Sequence, residues 1–448
     1  MVIIYKKYYK DIKTINNKRL YVLFYKKYWY NFNREVYSML LYFKIKNFCS
    51  FKDEAVFSLK PGKVTERFKD NITVINDKVK VSKLAVIVGE NAGGKTSFIT
   101  GLHFFKTLIN GGDVSYRTLK ALVYNNDIEK PQSFEISVLV DKIIYTYILE
   151  MDSLFITREE LYVRNYNQSE SSNVYVFKTK RSNVKPEIGT ESNNSLKRID
   201  ALLNYDLNDK FIPKQIVGLY ENSKVSSSSL LINVLYTLDI DIVKPFVDWI
   251  RKCLKVAIPK DLALNIYKNM EQDEKDLEII KTPTFFEIFK LVDSTIVGIE
   301  IDDKEPFKDT RIIRRRIDGS EFIIKLVSDS TGVNEFFAWA IQIWKVIHEN
   351  ATLFADEMDK VLNVILSSKI INFVKYNNHQ GQFIFSTHNI FHLNTIDYMK
   401  EQIFFISKNA ETLSSEIYTL ADFKDYRYYQ PDVYSLYLKG LLGATPND

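Results

Sequence analysis

At 448 residues the chain exceeds what one compact core accommodates, so roughly two or three lobes are expected. An apolar fraction of 46% suits a folded protein, and no run of about eighteen uncharged apolar residues is present to form a membrane-spanning helix. The net charge of +5 does not mark the body as nucleic-acid-binding: nine of the 61 Lys/Arg but only two of the 56 Asp/Glu lie in residues 1–38, which leaves the remainder slightly acidic.

Cys49 and Cys253 are too few for a disulfide framework and are not grouped as metal ligands, so a reducing, cytoplasmic setting is expected. Abundant Lys, Asn, Ile and Tyr suggest an AT-rich bacterial genome. Residues 1–38 hold eight of the 28 tyrosines and show no sustained period of 2 or 3.6. They read as a basic aromatic arm for nucleic acid or an anionic membrane surface, as a poorly ordered terminus, or as an extension upstream of a start at Met39. The third reading is favoured, because a strand-like domain opening begins right after Met39.

Residues 40–48 read as a first strand and 51–59 as a second, with Ala55, Phe57 and Leu59 on one face. Residues 84–88 are an apolar, strand-forming run. They lead into Gly89-Glu90-Asn91-Ala92-Gly93-Gly94-Lys95-Thr96-Ser97, after which residues 98–109 show helical spacing. Strand, Gly-rich loop and helix in that order make G-x-x-x-x-G-K-T a P-loop. Gly94 lets backbone N–H groups close around phosphate oxygens, and the helix N-terminus faces the same anion. Lys95 supplies charge to the β- and γ-phosphates of ATP, and Thr96 offers a hydroxyl to Mg2+.

Three β-rich runs follow at 134–140, 143–151 and 155–163, a meander that completes a first lobe over residues 39–180. Residues 165–195 read as a long polar loop or weak hairpin. From 196 to 291 the pattern turns helical, clearest at 230–238 and 242–256, until Pro259 breaks it; residues 181–310 are expected to be a largely helical insertion. Sustained heptads are lacking, so a long coiled coil is not expected.

A second lobe is expected over residues 311–448. It opens with strand character at 311–327 and a hairpin signal at Asp318-Gly319. Arg314-Arg315-Arg316 could contact phosphate, although such a run is more often a solvated strand edge. Ser330-Thr331-Gly332 begins a helical run. A simple serine cap and an anion site for the γ-phosphate of another subunit are both open readings. Residues 351–357 form a short apolar strand ending in Asp356 and Glu357, the Walker B pattern. Asp356 would hold Mg2+ and Glu357 would orient and deprotonate the attacking water. The next strand, 382–387, ends at His388, where a γ-phosphate sensor would sit. Gln132 is a weak candidate for a further nucleotide contact.

P-loop, insertion, Ser-x-Gly, Asp-Glu and Ser-Thr-His, in that order, resemble the head domains of the SMC and RecF group. More closely, residues 39–446 resemble the bacterial AAA family ATPases of the RloA and abortive-infection type. The resemblance is carried by residues 45–51, 353–359, 385–388, 402–408, 418–423 and 437–446. It implies an α/β P-loop NTPase with an ABC-type ATPase head, a β-rich first lobe and a helical insertion. It also implies ATP and Mg2+ as cofactors, and a homodimer or higher homo-oligomer that sandwiches nucleotide between the P-loop of one copy and Ser330 and Gly332 of the other. The implied role is a phage-defence ATPase controlling a nuclease or toxin effector carried on a separate, nearby-encoded chain. Nucleic acid remains an open partner and a membrane is not expected. The alternatives are a RecF-type DNA-repair ATPase and a non-hydrolysing nucleotide-dependent scaffold. Three positions depart from the family pattern. Cys49 stands where many relatives carry a basic residue, Val333 where Thr is common, and Asn363 where His is frequent.

Overall fold

The computed structural model of the chain describes residues 37–63, 66–112, 130–152, 156–180, 202–221, 225–226, 229–257, 274–358, 362–393, 397–423 and 433–445. The chain divides into two units, Met1–Tyr37 and Ser38–Asp448, and every described element belongs to the second. The readings of residues 1–36 therefore lie outside the described residues.

Chain order begins with β1 (Ser38–Lys46), β2 (Ala55–Ser58), β3 (Ile72–Val74), β4 (Lys80–Ser82), β5 (Leu84–Val88), β6 (Gln132–Val140), β7 (Ile143–Met151) and β8 (Ile156–Asn165). It continues through β9 (Val174–Lys180), β10 (Leu202–Leu207), β11 (Val225–Ser226), β12 (Leu254–Ala257), β13 (Ile296–Glu300), β14 (Arg311–Arg315) and β15 (Glu321–Lys325). The last strands are β16 (Thr352–Ala355), β17 (Gln382–Thr387), β18 (Ile403–Lys408) and β19 (Ser415–Thr419). Three longer helices are α1 (Lys95–Ile109), which follows the P-loop, α2 (Thr331–His348) and α3 (Val364–Tyr376).

Two large sheets organise these elements. The first is antiparallel, in the order β11-β10-β9-β8-β7-β6-β1-β2. The second runs β12-β16-β17-β5-β18-β19, parallel except for β19. The apolar run at 84–88 is explained by burial on both faces of this second sheet. Ala85 and Ile87, with Phe354, Ile384 and Phe404, face a core shared with α1 and the first sheet. Leu84, Val86 and Val88, with Leu353, Phe383 and Phe405, face a separate core built around α2. That split is the period of two of extended chain. Phe57 closes the first core, with its ring 5.7 Å from Phe98, 5.5 Å from Phe354 and 4.3 Å from Phe404. The buried Gln382 amide joins the two sheets: it accepts the Leu40 N–H at 2.7 Å and donates to the Leu40 carbonyl at 2.9 Å.

The structure corrects the helical reading between residues 196 and 291 and decides that of the stretch before it. Of the two readings of 165–195, a loop or a weak hairpin, the described part fits the hairpin: β9 pairs antiparallel with β8, and its Val174, Tyr175, Val176 and Phe177 are strand formers masked by polar neighbours. The region read as largely helical holds short helices, Leu231–Thr237 and Lys244–Asp248 among them, but also β10, β11 and β12. The helix expected over 242–256 stops after a π turn at Trp249–Cys253, and β12 then joins the second sheet beside β16. A short apolar run satisfies both periods, and pairing with a distant strand decides between them. The hairpin at Asp318-Gly319 is present between β14 and β15, with Gly319 at φ 85.

Candidate nucleotide site

β16, β17 and β5 are adjacent and parallel, so their C-terminal ends open onto one place. The carboxyl edge of a parallel sheet is where ligands bind in α/β folds. β5 delivers the P-loop there, β16 delivers Asp356 and Glu357, and β17 delivers His388. The cleft has a volume of about 290 Å3, with Lys95, Thr96, Glu357 and His388 in its wall.

The P-loop is pressed against β18 and β19. A Cβ on Gly89 would lie 2.1 Å from the Ile406 carbonyl oxygen, so glycine is required by close backbone approach. Gly94 has φ 119 and begins α1; a Cβ there would meet the Ser415 hydroxyl at 2.4 Å. Ser415 donates to the Gly93 carbonyl at 2.6 Å, and the Lys408 N–H donates to the Glu90 carboxylate at 3.1 Å. Asn91 and Ala92 form the exposed outer turn, with Ala92 at φ 61. Lys95 is buried and donates to the carbonyls of Gly89 at 2.7 Å and Glu90 at 2.9 Å. Its Nζ is 3.5 Å from His388 Nδ1. Thr96, exposed, and Ser97, half-buried, follow at the positive end of α1.

Across the cleft, Asp356 is 1% exposed. Its carboxylate accepts from the Ser386 hydroxyl at 2.6 Å, and its N–H donates to the Ala257 carbonyl at 2.9 Å. Ser386 also accepts the Glu357 N–H at 2.7 Å. Glu357 has φ 48, a left-handed conformation that costs a non-glycine residue about 1–3 kcal/mol. That conformation turns its carboxylate toward His388 Nε2, 3.8 Å away. Lys95, His388 and Glu357 thus form a row across the mouth of the site.

The donor set fits a nucleoside triphosphate with Mg2+. The glycines clear a backbone cradle that side chains would fill, Thr96 exposes a hydroxyl, and Asp356 presents a carboxylate already oriented by Ser386.

Ser330 and Gly332 are exposed and lie outside this cleft. Ser330 caps α2, its hydroxyl accepting the Val333 N–H at 3.4 Å, and a Cβ on Gly332 would meet nothing within 4 Å. The preceding Asp329 is held by Arg314, whose Nε and Nη2 lie 3.0 and 2.7 Å from one carboxylate oxygen. Arg314 also pairs with Asp293, while Arg315 pairs with Glu321 and Arg316 stacks over Phe322 at 4.8 Å. The first of the three arginines is therefore engaged within the chain. Gln132 opens β6, away from the cleft wall. Asn363 caps α3 by accepting the Leu366 N–H at 2.9 Å, a local reason for asparagine at this position.

Sequence reasoning missed Ser386, Ser50, Ser415 and Lys408. Ser50, Ser386 and Lys408 lie in runs quoted for the family resemblance and Ser415 lies between two of them, but a lone serine or lysine carries no spacing signal.

Residues 84–394 match the family model described as "AAA domain, putative AbiEii toxin, Type IV TA system". The chain belongs to this family. Its second sheet, P-loop and helices make it an α/β P-loop NTPase, and the AAA domain places it among ATP-binding ATPases. No curated protein matches the chain. Among solved structures it is similar to an Smc head bound to the C-winged helix domain of ScpA, at 13% identity over 85% of this chain and 97% of that one, with a TM-score of 0.46. The SMC head domain from Thermotoga maritima matches at 13% identity, over 85% and 98% of the two chains, with a TM-score of 0.39. A Pyrococcus furiosus Smc head domain with an extended coiled coil, bound to the C-terminal domain of ScpA, matches at 13% identity over 85% and 96%, with a TM-score of 0.40.

Proposed function

We propose that the chain is a cytoplasmic, Mg2+-dependent ATPase that works as a nucleotide-sandwich dimer and serves as the ATPase and sensor of a bacterial phage-defence system acting through a separate effector. The observation that carries the ATPase reading is the Ser386 bridge: one hydroxyl orients the Asp356 carboxylate and the Glu357 backbone together, opposite Lys95. Among the described residues no helix is long and apolar enough to cross a membrane.

Lys95 exchanges the Gly89 and Glu90 carbonyls for the β- and γ-phosphate oxygens. Thr96 and Asp356 would hold a Mg2+ ion, whose charge would offset that developing on the phosphates. Glu357 accepts the proton of the attacking water, and His388, between Glu357 and Lys95, reports whether a γ-phosphate is present. Positioning and charge stabilisation supply the rate. Ser330 and Gly332 of a second copy complete the site, which fits their exposure and their distance from the cleft of their own chain. The family description names a toxin and a toxin–antitoxin system, which supports work with a second component.

The test is turnover and assembly of purified protein. Glu357→Gln should cut ATP hydrolysis by about 100-fold or more while MgATP still binds. Ser330→Arg should block ATP-driven dimerisation and leave nucleotide binding intact. Undetectable turnover in the presence of duplex DNA and of the protein encoded next door would overturn the enzyme reading. Stimulation by duplex that falls steeply with salt would favour direct action on DNA instead. Unchanged phage sensitivity on deleting the gene would remove the defence role.

A further inference from the structure

The wall of the cleft holds a second lysine besides Lys95. Lys408 ends β18 and lines the same wall as Ser50, Asn91 and Lys95. Its backbone is fastened to the loop: its N–H donates to the Glu90 carboxylate, and two residues earlier the Ile406 carbonyl occupies the space where Cβ atoms of Gly89 and Gly93 would lie. β18 is further locked to β5 by the pairs Ile403–Val86, Phe404–Ile87 and Phe405–Val88. The strand end and the phosphate loop are thus one rigid piece, and Lys408 extends from it with a partly buried stem. Among the described residues its ammonium forms no ion pair.

The charge balance of the cleft bears on Lys408. The wall holds two lysines, Lys95 and Lys408, and two carboxylates, Glu90 and Glu357, with Asp356 buried behind. Without Lys408, one cation would face three carboxylates in a site meant for a polyanion. The β1–β2 turn contributes the uncharged Ser50 to the wall and adds no charge.

We propose that Lys408 is a second phosphate-binding cation of the nucleotide site, placed from β18 beside the P-loop. The proposal rests on the ATP-site reading above. It assigns Lys408 to the phosphate chain of a nucleoside di- or triphosphate. Charge is what the site needs, so arginine should serve and a neutral side chain of similar length should not. The interaction is made in a partly enclosed cleft, where salt screens it less than on an open surface.

The experiment is calorimetric titration of the full chain with MgATP, MgADP and adenosine, using wild type, Lys408→Gln, Lys408→Arg and Lys95→Ala. Lys408→Gln should weaken MgATP and MgADP at least tenfold and leave adenosine unchanged, while Lys408→Arg stays within about threefold of wild type. Nucleotide-free melting of both Lys408 variants should match wild type, which separates a charge effect from damage to β18. MgATP affinity of Lys408→Gln within twofold of wild type, or Arg as poor as Gln, would overturn the proposal. If Lys95→Ala also binds MgATP normally, the ATP-site reading itself fails; if Lys95→Ala loses binding and Lys408→Gln does not, only the assignment of Lys408 fails.

Discussion

The Ser386 hydroxyl donates to the Asp356 carboxylate at 2.6 Å, and the same oxygen accepts the Glu357 N–H at 2.7 Å. Ser386 is itself fully buried, so neither partner has water as a substitute. Ser386→Ala therefore leaves a carboxylate oxygen and an N–H unsatisfied. Unfolding free energy, read by denaturant titration, should fall by about 1–3 kcal/mol. ATP turnover should fall on the order of tenfold, because Glu357 loses the bond that holds its left-handed backbone. Wild-type turnover in the variant would show that the acids are positioned by other means.

Gly89 faces the Ile406 carbonyl across the β5–β18 pair. A methyl group at 2.1 Å from a backbone oxygen has no flexible side chain to displace, and the strand register on both sides is closed. Gly89→Ala should cost about 3 kcal/mol through overpacking and should abolish MgATP binding as the loop is pushed from the cleft. Retained binding at wild-type stability would mean that the loop sits farther from β18.

Arg314 and Asp329 are 13% and 9% exposed, and Arg314 bridges β14 to the cap of α2. Asp329 in turn accepts the Ser330 N–H at 2.7 Å. Breaking the pair leaves a nearly buried aspartate without its cation, so Arg314→Met should lower stability by on the order of 3 kcal/mol. In the sandwich model it should also weaken ATP-driven dimerisation, measured by sedimentation, because Ser330 loses its fixed pose. A variant that dimerises normally would confine Arg314 to a structural role.

His379 is buried after α3, with Nε2 2.7 Å from the Val374 carbonyl. Burial drives its pKa down from 6.5 to about 4, with Lys83 and His348 acting in the same direction. The folded state therefore binds its proton less readily than the unfolded chain. The stabilising contribution is complete above pH 6.5 and is lost as pH falls toward 4. Over that window it amounts to about 3 kcal/mol. His379→Gln keeps a donor for Val374 but does not titrate, and its stability should decline less than that of wild type between pH 6.5 and 4. Parallel pH profiles for the two proteins would refute the assignment.

Much of the nucleotide site is legible in the sequence because its chemistry is written in local runs. A strand, a Gly-rich turn and Lys95-Thr96 at a helix start are contiguous, and so are the apolar strand and the Asp356–Glu357 pair. The hairpin at Asp318-Gly319 is equally local. Ser386 and Lys408 were not legible as site residues. Their roles come from where β17 and β18 lie against β5, and no spacing in the chain encodes that.

The sequence by itself determined that a P-loop, two acids and a histidine stand at the ends of apolar strands. Only the tertiary structure decided that 202–207 and 254–257 are strands, and that 174–180 is a hairpin strand and not a loop. The physical reason is the range of the interactions. Lys95 through Ile109 satisfy their own backbone within one helix, whereas the N–H and C=O groups of Leu254–Ala257 find partners on Thr352–Ala355, about a hundred residues away. Until that distant strand is in place, the apolar run at 254–257 fits a helix as well as a sheet.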